Sequence, residues 1–158
     1  MHQLIRPSSQ PALLGGLFIG VLSALPIVNL ANCCCLWIAG GGVLAGYLAQ
    51  QGSPVPLTGA RGAIVGLLAG VVGAFVWLVA ALVLDLVMAP LQERMVAGVL
   101  QSAADMPPEV RQWLELMSDR ASAPLRFAAG FVFQLFAGAV FATLGGVLAA
   151  AFFKRRSA

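Results

Sequence analysis

Few residues of this 158-residue chain carry side chains able to do chemistry, and they are scattered. Cys33, Cys34 and Cys35 are consecutive, Asp85 and Gln134 fall inside long apolar runs, and the single histidine is His2. Consecutive residues on a helix point ~100° apart, so three adjacent thiols on a helix cannot converge on one metal, whereas two of them can in a turn. The simplest reading of the triplet is small apolar turn residues, because cysteine packs as a small hydrophobe. Thiol or disulfide chemistry, S-acylation and metal binding are the alternatives. A carboxylate in an apolar run is costly unless paired, so Asp85 reads as one half of an ion pair with Arg126 or as a proton- or cation-binding group. Gln134 reads as bonding a neighbouring backbone carbonyl or the same residue of a second copy.

With only His2 available, histidine-ligated haem, a His-rich metal centre and Ser-His-Asp catalysis are disfavoured. There is no CxxC, no Walker loop and no dinucleotide fingerprint; the glycines recur every four residues inside apolar runs, which is helix-packing spacing. The expectation is a protein that is not an enzyme, with no catalytic residue, cofactor or metal. The net charge is +3, and three of the positive residues are Lys154-Arg155-Arg156. Without a wider basic patch, nucleic acid is not an expected partner.

The elements that position these residues follow from composition. Sixty per cent of the residues are hydrophobic and 9% are charged. A soluble domain keeps about a quarter of its residues charged, so this chain cannot cover a water-facing surface. The fold class expected is all-α: an integral membrane bundle of about four transmembrane helices forming a single domain over 1–158.

From Pro11 to Ala49 there is no charged residue. One helix of that length would be ~58 Å, nearly twice the ~30 Å hydrocarbon core, so the run must fold back. Pro26, Asn29 and Asn32 place the break within 26–35. Spans over about 12–30 and 35–50 result, or a re-entrant hairpin over 12–50. Leu30-Ala31-Asn32-Cys33 faintly resembles a lipobox, but the residues beyond Cys33 are apolar rather than a polar tether. Trp37 reads as an interface anchor. After a Pro/Gly-rich loop at 51–61, a third span covers 61–88, with Pro90 marking its end or a kink. Gly62, Gly66, Gly70 and Ala74 give it a face with almost no side chains, which lets a second helix approach closely in lipid.

Five of the six acidic residues lie in the segment 90–124. Two amphipathic helices fit it, over 91–103 and 108–119, as a cap on the membrane surface with Trp113 at the headgroups. The fourth span is 125–153. Its small face of Gly130, Gly138, Ala142 and Gly146, interrupted by Gln134, is expected to pack on Gly62–Ala74. Aligning Arg61 with Phe153 sets Asp85 level with Phe127–Ala129, near Arg126, and sets Gln134 level with Leu78–Ala80. Arg6, Arg61 and Lys154-Arg155-Arg156 then share one side, which puts both termini in the cytoplasm and the protein in the cell membrane.

The charge-free hairpin with its Asn/Cys-rich turn (Asn29, Asn32, Cys33 to Cys35, Trp37), the two long Gly/Ala-faced helices and the basic tail resemble small bacterial multi-span membrane proteins of uncharacterised function. The resemblance is compositional and implies no activity. The expected role is structural or accessory: a subunit, assembly factor or scaffold packing through Gly/Ala faces, in a homo-oligomer or larger membrane complex, with membrane lipids as its other partners. The alternative is a small oligomeric transporter or channel using Asp85 or Gln134.

Overall fold

The computed structural model describes residues 6–25, 28, 35–102 and 107–153, and all regular structure among them is helical. Helix α1 spans Arg6–Ala24, α2 Leu36–Gln51, α3 Gly59–Ser102 and α4 Pro108–Ser118. A short 3-10 turn, Arg120–Ser122, leads into α5, Ala123–Ala137. One π-turn, Gly138–Ala142, joins α5 to α6, Thr143–Phe152. Cys33, Cys34, Asn29, Asn32, His2 and Lys154-Arg155-Arg156 lie outside the described residues, as does the side chain of Trp113.

Several boundaries differ from the sequence reading. Helix α1 starts at Arg6 rather than near residue 12 and runs through Pro11. Helix α3 runs unbroken through Pro90 for 44 residues, so the separate helix expected over 91–103 is its continuation. Proline removes one backbone bond, and the turns on either side hold the rest of the helix together. Local signals fix the other ends. The Thr58 hydroxyl accepts the Arg61 amide at 3.3 Å, capping α3 in the manner preferred at N-termini. At the C-terminus of α2 the Gly52 amide donates to the Leu48 carbonyl at 3.1 Å. The next turn is drawn in because the Leu57 amide donates to Gln50 Oε1 at 2.6 Å. At the start of α2, Cys35 adopts a left-handed conformation (φ 53°). The Trp37 indole donates to the Val28 carbonyl at 3.1 Å, which links the start of α2 back to Val28.

Among the described residues, two helical stretches are long and apolar enough to cross a membrane, Gly59–Leu91 (33 residues) and Ala123–Phe152 (30 residues). The apolar part of α1, Ser9–Ala24, is shorter. Helices α1 and α3 run parallel: Gly16 lies against Ala69 and Val72, and Gly20 against Gly73 and Val76. Helix α2 returns antiparallel to α1, with Gly15 and Ile19 against Gly41, and meets α6 in parallel through Gly46 and Ala149. Helices α5 and α6 descend antiparallel to α3. The small helix α4 touches α3 only lightly.

The distribution of side chains is the reverse of a water-soluble core. The buried residues are dominated by Gly and Ala, and the largest side chains wholly removed from the surface are Ile19 and Ile38. The large side chains point outward: Leu86 is 80% exposed, Phe136 71% and Leu125 74%. Burying alanine and glycine withdraws little apolar area, so in water this interior would supply little hydrophobic drive. In lipid the same arrangement is favourable, because association there comes from close backbone packing.

Candidate functional site

The small-residue face of α3 meets the last helices through backbone. A methyl group on Gly66 would overlap the Ala142 carbonyl oxygen and stand 2.9 Å from its carbon. One on Gly70 would stand 2.6 Å from the Gly138 carbonyl carbon, and one on Gly62 would stand 3.0 Å from that of Gly146. Gly130 lies against the ring of Trp77, and Ala74 and Ala142 are both fully buried. Gly42 of α2 approaches the same Ala142 backbone from the other side. Ala142 closes the π-turn, so the irregular backbone falls where α2, α3 and the final helix converge. Such turns are rare and replace the regular i→i−4 ladder with a wider one.

These contacts set a register different from the one obtained by aligning Arg61 with Phe153. With Gly70 against Gly138 and Trp77 against Gly130, Gln134 is level with Ala74 rather than with Leu78–Ala80. Asp85 is correspondingly carried past Phe127–Ala129 toward the start of α5. Among the described residues, no ion pair joins Asp85 to Arg126. Arg126 Nη1 donates to the Asp119 carbonyl at 3.1 Å and to the Ser122 hydroxyl at 2.9 Å, bracing the turn before α5. Helix packing is satisfied only where backbones can touch, and that requirement overrides the alignment of charges.

Gln134 is 5% exposed, and its Nε2 has no hydrogen-bond partner. Its side chain is thus enclosed within the single chain. Sequence reasoning gave no weight to three other polar groups. Ser23 and Gln50 are each 3% exposed, and Ser23 Oγ, Gln50 Nε2 and Thr143 Oγ1 are buried without partners. The only signal for them was a polar side chain set among small residues on an inward-facing stripe. Of the cysteine triplet, Cys35 is described; it is half-buried at the foot of α2, packed against the core that contains Ile38 and Ala137. Among the described residues, no three His, Cys, Asp or Glu side chains come together.

The site residues thus fall into two groups. Gly62, Gly66, Gly70, Ala74, Gly130, Gly138, Ala142 and Gly146 form one continuous seam. Asp85, Arg126, Cys35 and Gln134 do not converge on a common centre. The architecture is that of an all-helical, small-residue-packed bundle with two helices able to cross a membrane. Comparison with models of protein families, with curated proteins and with solved structures finds no match to this chain.

Proposed function

We propose that this chain is an integral protein of the cell membrane with four crossings, serving as a structural or accessory subunit of a larger membrane assembly. The observation that carries the reading is the inverted side-chain distribution, with Gly and Ala inside and Leu, Val and Phe outside. The small-residue faces are consumed within the chain, so a partner subunit meets the outward side chains rather than the glycines. Both termini lie on the cytoplasmic side together with Arg6, Arg61 and Lys154-Arg155-Arg156, following the bias of basic residues toward that side. The segment between α3 and α5, including α4, forms the cap on the opposite face.

Affinity purification of the tagged chain in mild detergent tests this role. Recovery of a larger membrane partner in fixed stoichiometry is the expected result; a chain that is monomeric and alone at every detergent concentration overturns it. The second reading, a small oligomeric transporter or channel, draws on the unpartnered amide of Gln134. Solute uptake into proteoliposomes that is lost in Gln134→Met or Asp85→Asn, while folding is retained, would favour that reading over the first.

A further inference from the structure

The last span is not one regular helix, because the π-turn Gly138–Ala142 separates α5 from α6. A π-turn takes one residue more into each hydrogen-bonded ring than an α-helix does, so it changes the angle at which α6 leaves α5. Beyond the turn, α6 divides its small residues between two neighbours. Gly146 and Ala150 lie against Gly62 of α3, whereas Gly145 lies against Ala39 and Val43 of α2, and Ala149 against Gly46. Leu144 and Leu148 face outward, 53% and 47% exposed. Thr143, the first residue of α6, has a buried hydroxyl without a partner. In a regular helix a threonine hydroxyl bonds a carbonyl three or four residues back; across this π-turn it makes no such bond.

Closing the π-turn to a regular helix would rotate α6 by about one residue position, ~100°, relative to α5. Each residue of α6 would then take the place its successor holds now. Against α3 that exchange keeps the side chains small, since Gly145 replaces Gly146 and Ala149 replaces Ala150. Against α2 it does not. Leu144 and Leu148 would arrive where Gly145 and Ala149 now meet Ala39, Val43 and Gly46. An edge contact between Tyr47 and Phe153, ring centroids 5.0 Å apart, fastens α2 to the end of α6 as well.

We propose that the π-turn is a two-position pivot for α6, and that α2 is the latch holding it in the position observed. When α2 is drawn aside, α6 turns and the Thr143 hydroxyl gains a carbonyl within its own helix. Gly146 and Ala150 then rotate outward in place of Leu144 and Leu148, so a neighbouring subunit meets a different surface. The inference concerns how the chain packs on itself, and it stands whether the protein is an accessory subunit or a transporter.

Two variants of the full chain test it, read through isotopically labelled alanine methyl groups in detergent. Deleting Val140, whose side chain is 39% exposed, removes the surplus residue and leaves α6 facing as it does now. Ala149 is expected to keep its cross-peak to Gly46 and Ala150 its cross-peak to Gly62, with a Tm within ~5 °C of wild type. The combined variant Tyr47→Ala, Leu144→Ala and Leu148→Ala removes the obstacle and the ring contact. Its Ala150 methyl is expected to lose intensity to Gly62 and gain cross-peaks to detergent, and deleting Val140 as well should restore the contact with Gly62. An Ala150 methyl that stays on Gly62 in the combined variant overturns the proposal, as does a larger fall in Tm on deleting Val140. Loss of the fold in either variant counts against it equally, because the pivot treats one turn residue as surplus and assigns the two leucines no packing in the observed position.

Discussion

Replacing Gly66 by alanine adds one methyl group at one of the tight points of the bundle, where it would overlap the Ala142 carbonyl oxygen and stand 3.1 Å from Thr143 Cα. Both neighbours are backbone, so neither can rotate away; α3 and α6 must separate by roughly 1 Å. A gap of that size forfeits a quarter to a half of each dispersion contact, and for roughly twenty atom pairs at ~0.15 kcal/mol this comes to about 1 kcal/mol. Residual strain brings the total to about 2 kcal/mol, within the range of overpacked cores. Gly98 is the control: it lies in the same helix, and nothing stands within 4 Å of a methyl group placed there. Gly98→Ala should gain up to ~1 kcal/mol from helix propensity, and Gly66→Ala receives the same gain against its loss. The two variants should therefore differ by about 2 kcal/mol, or ~4–8 °C in Tm for a domain of this size. Tryptophan fluorescence during heating in detergent reads this directly, because the Trp77 ring packs on Gly130 at the same interface. Equal Tm shifts for Gly66→Ala and Gly98→Ala would refute the reasoning, and leucine at Gly66 should then be tolerated as well.

Three further outcomes follow from named contacts. Gln50→Met removes the acceptor of the Leu57 amide, so hydrogen exchange at Leu57 should accelerate by about tenfold or more relative to the amides within α2. Arg126→Gln should destabilise the turn before α5, whereas Asp85→Asn should leave the Tm unchanged, and the exchange Asp85→Arg with Arg126→Asp should not restore it; recovery in the exchanged protein would show that the two charges pair after all. Cys35→Gly should be more stable than Cys35→Ala by about 1 kcal/mol, measured as a higher Tm, because both lose the thiol's packing on the core but only glycine enters the left-handed region without the penalty a Cβ incurs there.

The sequence makes the helical class and the small-residue faces readable, for a reason that lies in how helices pack in lipid. Where water supplies no drive between helices, close approach has to be written into the chain as small residues, and Gly62, Gly66 and Gly70 write it at a spacing of four. The inward stripe of the last span reads the same way, because Gly138, Ala142 and Gly146 repeat that spacing. Pro90 was less informative. In a soluble helix a proline there would read as a stop, yet α3 passes through it and reaches Ser102. The residues flanking it are apolar and at home in a helix, so the loss of one bond does not end the element.

The register was not legible, and the reason identifies which force dominates. Aligning Arg61 with Phe153 presumes that both mark the same membrane surface. Such a premise constrains depth only to within a turn or two, because side chains near the interface snorkel. Backbone contact has no such latitude: sliding α6 by one residue along α3 would turn the Ala142 carbonyl away from Gly66 and bring a larger side chain into the seam. The glycines therefore fix the alignment, and the charges settle where that alignment leaves them. Arg126 accordingly donates to the Asp119 carbonyl and the Ser122 hydroxyl, close to it in the chain. It follows that substitutions along Gly62–Gly70 should change the fold's stability, while substitution of Asp85 should be felt, if anywhere, in what the assembled protein does.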